Sequence, residues 1–580
     1  MSQRSVPLFT TSTPATPVEV VVRKKKIRIE QPVVECGIKT ITIPSWINTH
    51  ETNEPGIVIF NVSRCKQWLI LDETSIASAQ ERRQLQVCMS RKIKNPQFNP
   101  LVKRKLWDGS INFLHKNKFI AIGLWKELIE IGKQFNLDIQ IKGLSVILDK
   151  QLTLDEFAAV VMPHFEGRTL KGKKLEPRPY QVEAAWNFVR FRYSVADLAT
   201  NAGKTLIVFL VILYLKKTNQ LKNFLMIVPK VTLVDQGAED FFDYGIKDLS
   251  LRVGAVYGGS TELRDAEVVI GTFTSLANRP EEYFNRFDVL CVDEAHQTTT
   301  ASHKKIIGHC KQLNVKFGLT GTLIDQNSAD YWTILSLLGP VCMQVDPAFL
   351  AQEGFSTPLD IRIIIMNYLH EDLRHRLKEV RNNIDKNLAF NTEKKIVTQN
   401  QARFEYVVDM VSKVTKNSLV LFSSVAEGYG KRIYDELRSR CMGKEIFYID
   451  GDTDDSLREI YKTKLKEEGD NKILVATFGT YSTGISISNL HNVFLVESYK
   501  SEIIIGQSIG RMMRTQEGKS RAIVIDFVDD FRTKEDKMSA MITLRDMKKH
   551  RPNYLYSHGM ERMAYYKRKE HKHKIYQVTY

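Results

Sequence analysis

Six consecutive residues, Thr200-Asn201-Ala202-Gly203-Lys204-Thr205, stand before an apolar run, and their types suit the holding of phosphate. In a tight turn, backbone N–H groups can point at phosphate oxygens with a helix N-terminus behind them. Lys204 would neutralise the outer phosphates of a nucleoside triphosphate, and the Thr205 hydroxyl would ligate Mg²⁺. The run departs from G-x-x-x-x-G-K-[ST] at Leu198, which stands in place of the first glycine. Asn201 also holds a place where glycine is common. Asparagine tolerates a left-handed backbone, so the turn can still form.

Further along, Asp293-Glu294-Ala295-His296 follows directly on the apolar Val289 to Val292. A strand there places Asp293 at its carboxyl end, where α/β sheets bind ligands. Asp293 would hold Mg²⁺, and Glu294 would orient and activate an attacking water. A third group, Gln507-Ser508-Ile509-Gly510-Arg511-Met512-Met513-Arg514, sets two arginines three residues apart, a spacing expected to share one helix face. Arginine stays charged and forks onto phosphate oxygens. Supplied from a second domain, Arg511 and Arg514 would stabilise transition-state charge only when the cleft closes, with Gln507 near the γ-phosphate.

The elements that must carry these groups alternate. From Lys171 to about Pro358, apolar strands (Phe224 to Val228, Val268 to Gly271, Val289 to Val292, Lys316 to Leu319) are separated by helical stretches. A second block of the same kind begins near Ile361, with Leu419 to Ser423, Ile446 to Ile449, Ile473 to Ala476, Val493 to Val496 and Ala522 to Asp526. Such alternation predicts parallel sheets. The charged segment Leu369 to Thr398 reads as helix. The expected fold is α/β: two parallel-sheet domains in tandem, preceded by a small α+β domain and followed by a basic helical tail. The expected boundaries are a basic arm over 1–35, the small domain over 36–150, the two parallel-sheet domains over 151–358 and 359–531, and the tail over 532–580.

In the small domain, Ile57 to Phe60 and Ile111 to Leu114 read as strands, and Ile122 to Phe135 as a helix. Lys103, Arg104, Lys105 and Trp107 precede an Asp108-Gly109 turn, and basic residues beside an aromatic suit a phosphate contact. Arg23 to Lys26 with Arg28 could be an arm on nucleic acid or a solvated strand face. The tail mixes Lys548, Lys549 and Arg551 with tyrosines from Tyr554 onward.

The chain has 580 residues, a formal net charge of +16, 43% hydrophobic and 26% charged residues. That balance supports several cores, and the charge suits a polyanionic partner. The seven cysteines show neither Cys-x-x-Cys nor zinc spacing, which predicts buried, reduced thiols in a cytoplasmic protein. The N-terminus lacks an apolar signal core, and the best apolar run, Leu206 to Leu215, is too short to span a membrane. The expectation is a monomer without a membrane partner.

Read in order, the three groups and the motifs between them resemble superfamily 2 helicases. Arg178-Pro179-Tyr180-Gln181 resembles the adenine-recognition element. Val228-Pro229-Lys230 with Leu233 and Gln236 resembles motif Ia, Gly271-Thr272-Phe273-Thr274-Ser275 motif Ib, and Leu319-Thr320-Gly321-Thr322 motif III. Leu419 to Ser423 resembles motif IV, and Ala476-Thr477 with Ser482 to Ser486 motif V. The resemblance implies two RecA-like motor domains in tandem and an ATP hydrolase with ATP and Mg²⁺ as cofactors. ATP would lie against Tyr180, Gln181 and residues Thr200 to Thr205, and the nucleic-acid backbone against Lys230, Thr272 and Thr477. Taken singly, such Ser/Thr clusters are commonly turns and caps.

A narrower likeness is to phage recombination helicases. It is carried by Leu233-Val234-Asp235-Gln236, Phe241 to Gly245, Thr483 to Ile487 with Asn489-Leu490-His491, and, upstream, Trp107-Asp108-Gly109-Ser110-Ile111. It implies that the small α+β domain is a DNA-binding domain, and it implies work on branched double-stranded and single-stranded DNA: fork regression, branch migration of Holliday junctions and removal of RNA–DNA hybrids in recombination, repair and replication. It also implies the cytoplasm of a host cell and makes a single-strand-binding protein a candidate partner. The core motifs leave open an RNA helicase, a restriction-system motor and an ATP-independent annealing protein.

Overall fold

The computed structural model describes residues 38–40, 57–75, 79–134, 137–170, 172–258, 265–323, 325–383, 386–423, 425, 427–467, 469–484, 487, 489–515, 519–534, 537 and 552–579. The arm with Arg23 to Lys26 and Arg28, and also Cys36, Phe135, Ile485, Ser486, Lys548, Lys549 and Arg551, lie outside the described residues.

The first motor domain is built on an eight-stranded sheet. Edge to edge it runs Ile38–Thr40, Val341–Val345, Tyr193–Leu198, Val315–Thr320, Val289–Asp293, Phe224–Val228, Val268–Thr272 and Val253–Val256. Only Ile38–Thr40 pairs antiparallel. These three residues therefore belong to the motor sheet and not to the small domain that was expected to begin at 36. The central strands are buried on both faces, which is why they read as unbroken apolar runs. The register pairs Asp197 with Thr320, Asp293 with Leu319 and Val228 with Thr272. One edge of the sheet thus collects every strand end that carries a motif. Leu206 to Leu215 forms most of the helix Lys204–Lys217 and is buried along its length. A helix that is apolar all round belongs inside a domain core. Among the described residues no helix is long and apolar enough to cross a membrane.

The second motor domain has a seven-stranded sheet in the order Glu445–Ile449, Lys472–Thr477, Ser418–Phe422, Asn492–Leu495, Ala522–Asp530, Leu359–Asn367 and Lys572–Thr579, parallel throughout. The last strand corrects the expected basic tail. Residues 554–579 are no appended extension; they form a helix, Tyr554–Arg568, and the strand that closes one edge of this sheet. Two buried ion pairs hold the two faces of Ala522–Asp530. Arg562, from the C-terminal helix, donates to both oxygens of Asp526 at 2.9 and 2.8 Å, and Tyr566 adds a bond at 2.9 Å. Three residues on, and so on the opposite face, Asp529 accepts from Arg403 at 2.7 and 3.0 Å and from Tyr368 at 2.8 Å.

The small domain is a five-stranded sheet in the order Leu114–His115, Phe119–Ala121, Trp68–Leu71, Ile57–Val62 and Asp138–Lys142, with helix Trp125–Gln134 against it. The expected strand Ile111 to Leu114 is broken at Phe113. Ser110–Asn112 pairs instead with Ser90–Lys92 in a separate hairpin. Phe113 and Arg91 both pack on Trp332 of the motor helix Ala329–Leu338, at 5.5 and 3.8 Å, and so seat the small domain on the first motor domain. Cys291, Cys310, Cys342 and Cys441 are buried free thiols, whereas Cys65 is exposed, against the expectation of burial.

Removing one partner of a buried ion pair strands the other charge, at a cost of about 3–5 kcal/mol. Arg562→Met is therefore expected to lower the unfolding free energy of the second motor domain by that order in denaturant titration, while Lys567→Ala on the same helix leaves it unchanged.

Candidate ATP site between the motor domains

Leu198, where a first glycine was expected, is the buried last residue of the strand Tyr193–Leu198. The turn therefore starts one step later, and Asn201 takes the left-handed backbone at φ 73. Gly203 follows at φ 75 and leads into the helix at Lys204. The underside of this turn is tied down: Tyr180 and Gln181 both donate to the Ala202 carbonyl, each at 2.9 Å. Gln181 also accepts from the Arg178 N–H at 2.8 Å, so its amide is occupied at both ends. A side chain at Gly203 would collide with it. Tyr180 and Gln181 are buried and hold the loop from beneath. Thr200 and Thr205 are half-buried on it, and Ala202 is buried.

Asp293 ends its strand, and Glu294 takes φ 52, its N–H donating to Asp293 Oδ1 at 3.0 Å. Burial, then the charge of Glu294, pushes the Asp293 carboxyl up. Burial pushes Glu294 the same way, but the charge of Lys204, the contact with His296 and the charge of Arg511 together outweigh it and pull it down. Glu294 is thus held ionised beside Lys204. His296, given no role by the sequence reading, links this carboxylate to motif III. Its Nδ1 lies 3.3 Å from Glu294 Oε2, 3.1 Å from Thr320 Oγ1 and 3.4 Å from Thr322 Oγ1. Between those threonines, Gly321 lies against the loop: a methyl group there would sit 3.1 Å from the Leu198 carbonyl and 3.3 Å from Lys204 Nζ.

The second domain meets the loop through helix Glu502–Met512. Asn201 donates to the Gly510 carbonyl at 3.0 Å, and a methyl group at Gly510 would lie 2.5 Å from Thr200 Oγ1. Gly506, one turn earlier, faces Thr322 and Tyr565. A glycine pair four apart therefore lets the helix touch the phosphate loop, a spacing that the sequence reading passed over. Gln507 lies half-buried on this helix. Arg511 donates to the Tyr481 carbonyl at 2.9 Å and is close enough to Glu294 to feel its charge. Arg514 lies in the turn beyond the helix, still beside Arg511 and Tyr481. The helix ends at Met512, and the Arg514 carbonyl accepts from Thr357 at 3.0 Å in the following turn. Burial, then the neighbouring Arg511, draws Arg514 down from its usual value.

The residues expected on nucleic acid are spread out. Lys230 is half-buried in the cleft, drawn down to about 8 by burial and by Arg511. Thr272 and Thr477 each end a strand and cap a short helix: Thr272 accepts from Ser275 N–H at 3.4 Å, and Thr477 from Thr480 N–H at 3.2 Å. Their hydroxyls are engaged in capping. Lys103, Arg104 and Lys105 are exposed on the small domain. Trp107 donates to the Ser110 carbonyl at 2.9 Å and pins that loop.

Oxygen donors suit Mg²⁺, which usually takes one or two carboxylates and completes its shell with water and nucleotide phosphates. Asp293, half-buried next to a second carboxylate, has the chemistry for this, with the Thr205 hydroxyl as the second protein donor. Bound there, the ion would supply neutralisation of phosphate charge.

Two family models match the chain: "Type III restriction enzyme, res subunit" over residues 174–325 and "Helicase conserved C-terminal domain" over 402–516. Among curated proteins, the ATP-dependent DNA helicase uvsW of Enterobacteria phage T4 is 30% identical over 480 residues, 81% of this chain and 90% of the phage protein. The chain belongs to the UvsW family of superfamily 2 helicases. It is an ATP-hydrolysing helicase. The DNA 3'-5' translocase XPB2 of Sulfurisphaera tokodaii is 22% identical over 66% of this chain and 87% of its own length. The crystal structure of T4 UvsW covers 90% of this chain and 99% of its own, at 26% identity and a TM-score of 0.44.

In this helicase, Lys204→Ala and Glu294→Gln are expected to abolish ATP turnover with the circular dichroism spectrum unchanged. Arg511→Ala should lower kcat by about 10³-fold or more. Gly510→Val tests the contact between domains: holding the arginine helix off by about 1 Å should cost on the order of 10²-fold in kcat, read as single-turnover hydrolysis.

Proposed function

We propose that the helicase is an ATP-driven motor on branched DNA, acting in fork regression, branch migration and removal of RNA–DNA hybrids. Lys204, Thr205, Asp293 and Glu294 on one domain and Gln507, Arg511 and Arg514 on the other surround the nucleotide. ATP favours the closed cleft because both domains bind it there. Hydrolysis removes the bridge and the domains part. Lys204 and the arginines hold phosphate charge, while Glu294 takes the proton of the attacking water.

The observation that carries the DNA reading is the seat of the small domain. Its hairpin rests on Trp332, in the helix that follows motif III, and presents exposed Lys103, Arg104 and Lys105. Phosphate contacts carry no base information, which suits a motor that works on any sequence. The T4 relative is named a DNA helicase and the S. tokodaii relative a 3'-5' DNA translocase; 3'→5' movement is part of the proposal. Branched and single-stranded DNA are its substrates, and a single-strand-binding protein is a candidate partner.

The test is ATP hydrolysis without nucleic acid and with single-stranded DNA, forked DNA or an RNA duplex, with Glu294→Gln as control. The largest stimulation is expected from forked DNA, falling as salt rises. Stimulation by the RNA duplex alone would make it an RNA helicase.

A further inference from the structure

Between the hairpin strands Ser90–Lys92 and Ser110–Asn112 the chain makes an excursion over residues 93–109. Along it stand three exposed large apolar side chains: Phe98 (57%), Leu101 (49%) and Leu106 (72%). Single exposed apolar residues are ordinary, but a cluster of them calls for a partner. Here the cluster is surrounded by cations. Lys92, Lys94, Lys103, Arg104 and Lys105 are all exposed, against one exposed acid, Asp108.

The excursion is preorganised. Asn99 caps the short helix Pro100–Lys103 by accepting from Leu101 N–H at 2.9 Å, and Leu106 N–H donates to the Leu101 carbonyl at 2.9 Å, which sets those two residues side by side. Ile93 N–H closes the base on the Gly109 carbonyl at 2.9 Å. Gly109, at φ 80, admits Pro96 where a side chain would lie 2.6 Å from its Cβ. The apolar tip is therefore held on a stiff base, with little order left to gain on binding.

We propose that Leu101 and Leu106, flanked by Phe98, form an apolar wedge that stacks on the base pair at a DNA branch point and opens it without ATP, while Lys103, Arg104 and Lys105 hold the adjoining phosphates. The proposal rests on the branched-DNA reading and adds to it the group that the apolar tip contacts. DNA is the partner whose chemistry matches both halves: apolar wedges enter between base steps, and cations meet the backbone beside them. The position suits the motor as well. Arg91 and Phe113, at the root of the excursion, pack on Trp332 in the helix that follows motif III, and motif III touches Glu294 through His296. A fork held on the wedge is thus seated on the same domain as the hydrolytic carboxylate.

The experiment uses the full chain without nucleotide and a fork with 2-aminopurine paired at the branch point. Anisotropy of a distant dye reports binding. The parent is expected to raise 2-aminopurine fluorescence on binding, and Leu101→Ala/Leu106→Ala to bind within ~3-fold of the parent yet lose the rise, with an unchanged thermal midpoint. Lys103→Ala/Arg104→Ala/Lys105→Ala should weaken binding and flatten its salt dependence by about three charges. Val87→Ala, exposed elsewhere on the small domain, should behave as the parent. Binding by the parent without a fluorescence rise, or an undiminished rise in the double variant, overturns the wedge and leaves the DNA reading standing. Absence of fork binding overturns both.

Discussion

Everything in the motor half of this chain answers to one electrostatic condition: cations from two domains are gathered in a cleft with little water. Lys204 and Lys230 come from one sheet, Arg511 and Arg514 from the other. Burial draws Lys230, Arg511 and Arg514 below their usual values, and the charge of Arg511 adds to it at Lys230 and Arg514. On the proposed reading, a polyphosphate would offset the charge gathered there, so that nucleotide and closure would be tied through the charge arrangement itself. The loop and the arginine helix touch through Asn201, Thr200 and Gly510, so small changes in the gap change the local field steeply.

That charge arrangement depends on parallel sheets. With strands running one way, Leu198, Thr320, Asp293 and Val228 all end at one edge, so residues far apart in sequence share one site. The second sheet does the same for Thr477 and the turn after Leu495. Its own stability rests on Asp526 and Asp529, each gripped by a buried arginine on opposite faces. The C-terminal helix that supplies Arg562 also reaches the first domain: Lys569 pairs with Asp197, just before the phosphate loop, at 3.3 Å.

This dependence explains what was legible in the sequence. Lys204, Asp293, Glu294 and Arg511 stand in short runs whose chemistry demands particular residue types beside an apolar strand or helix, and the parallel α/β architecture showed in the unbroken apolar strands. The closing strand Lys572–Thr579 was not legible. It is an edge strand with one neighbour and exposed side chains, and edges carry lysine to discourage further pairing. Its Lys572-His573-Lys574 start looks like a solvated tail. Spacing alone does not say where a helix stops, so the place of Arg514 past the helix end was not legible, and a hydroxyl's partner depends on the turn it caps, so neither was the capping by Thr272 and Thr477. The roles of Gly506, Gly510 and His296 arise from contacts between distant segments, which no local window contains.

The closing strand also sets an order on assembly. Domains form largely from the N-terminal side as a chain emerges from the ribosome. The phosphate-loop domain has all its strands once Val345 is clear. The arginine domain opens its sheet at Leu359 but receives Arg562 and its edge strand only when residues up to Thr579 have emerged. During that interval Arg511 and Arg514 are already made, but the sheet that positions them lacks its edge strand and leaves Asp526 without its arginine. The two halves of the cleft are therefore completed at different times, the loop half first.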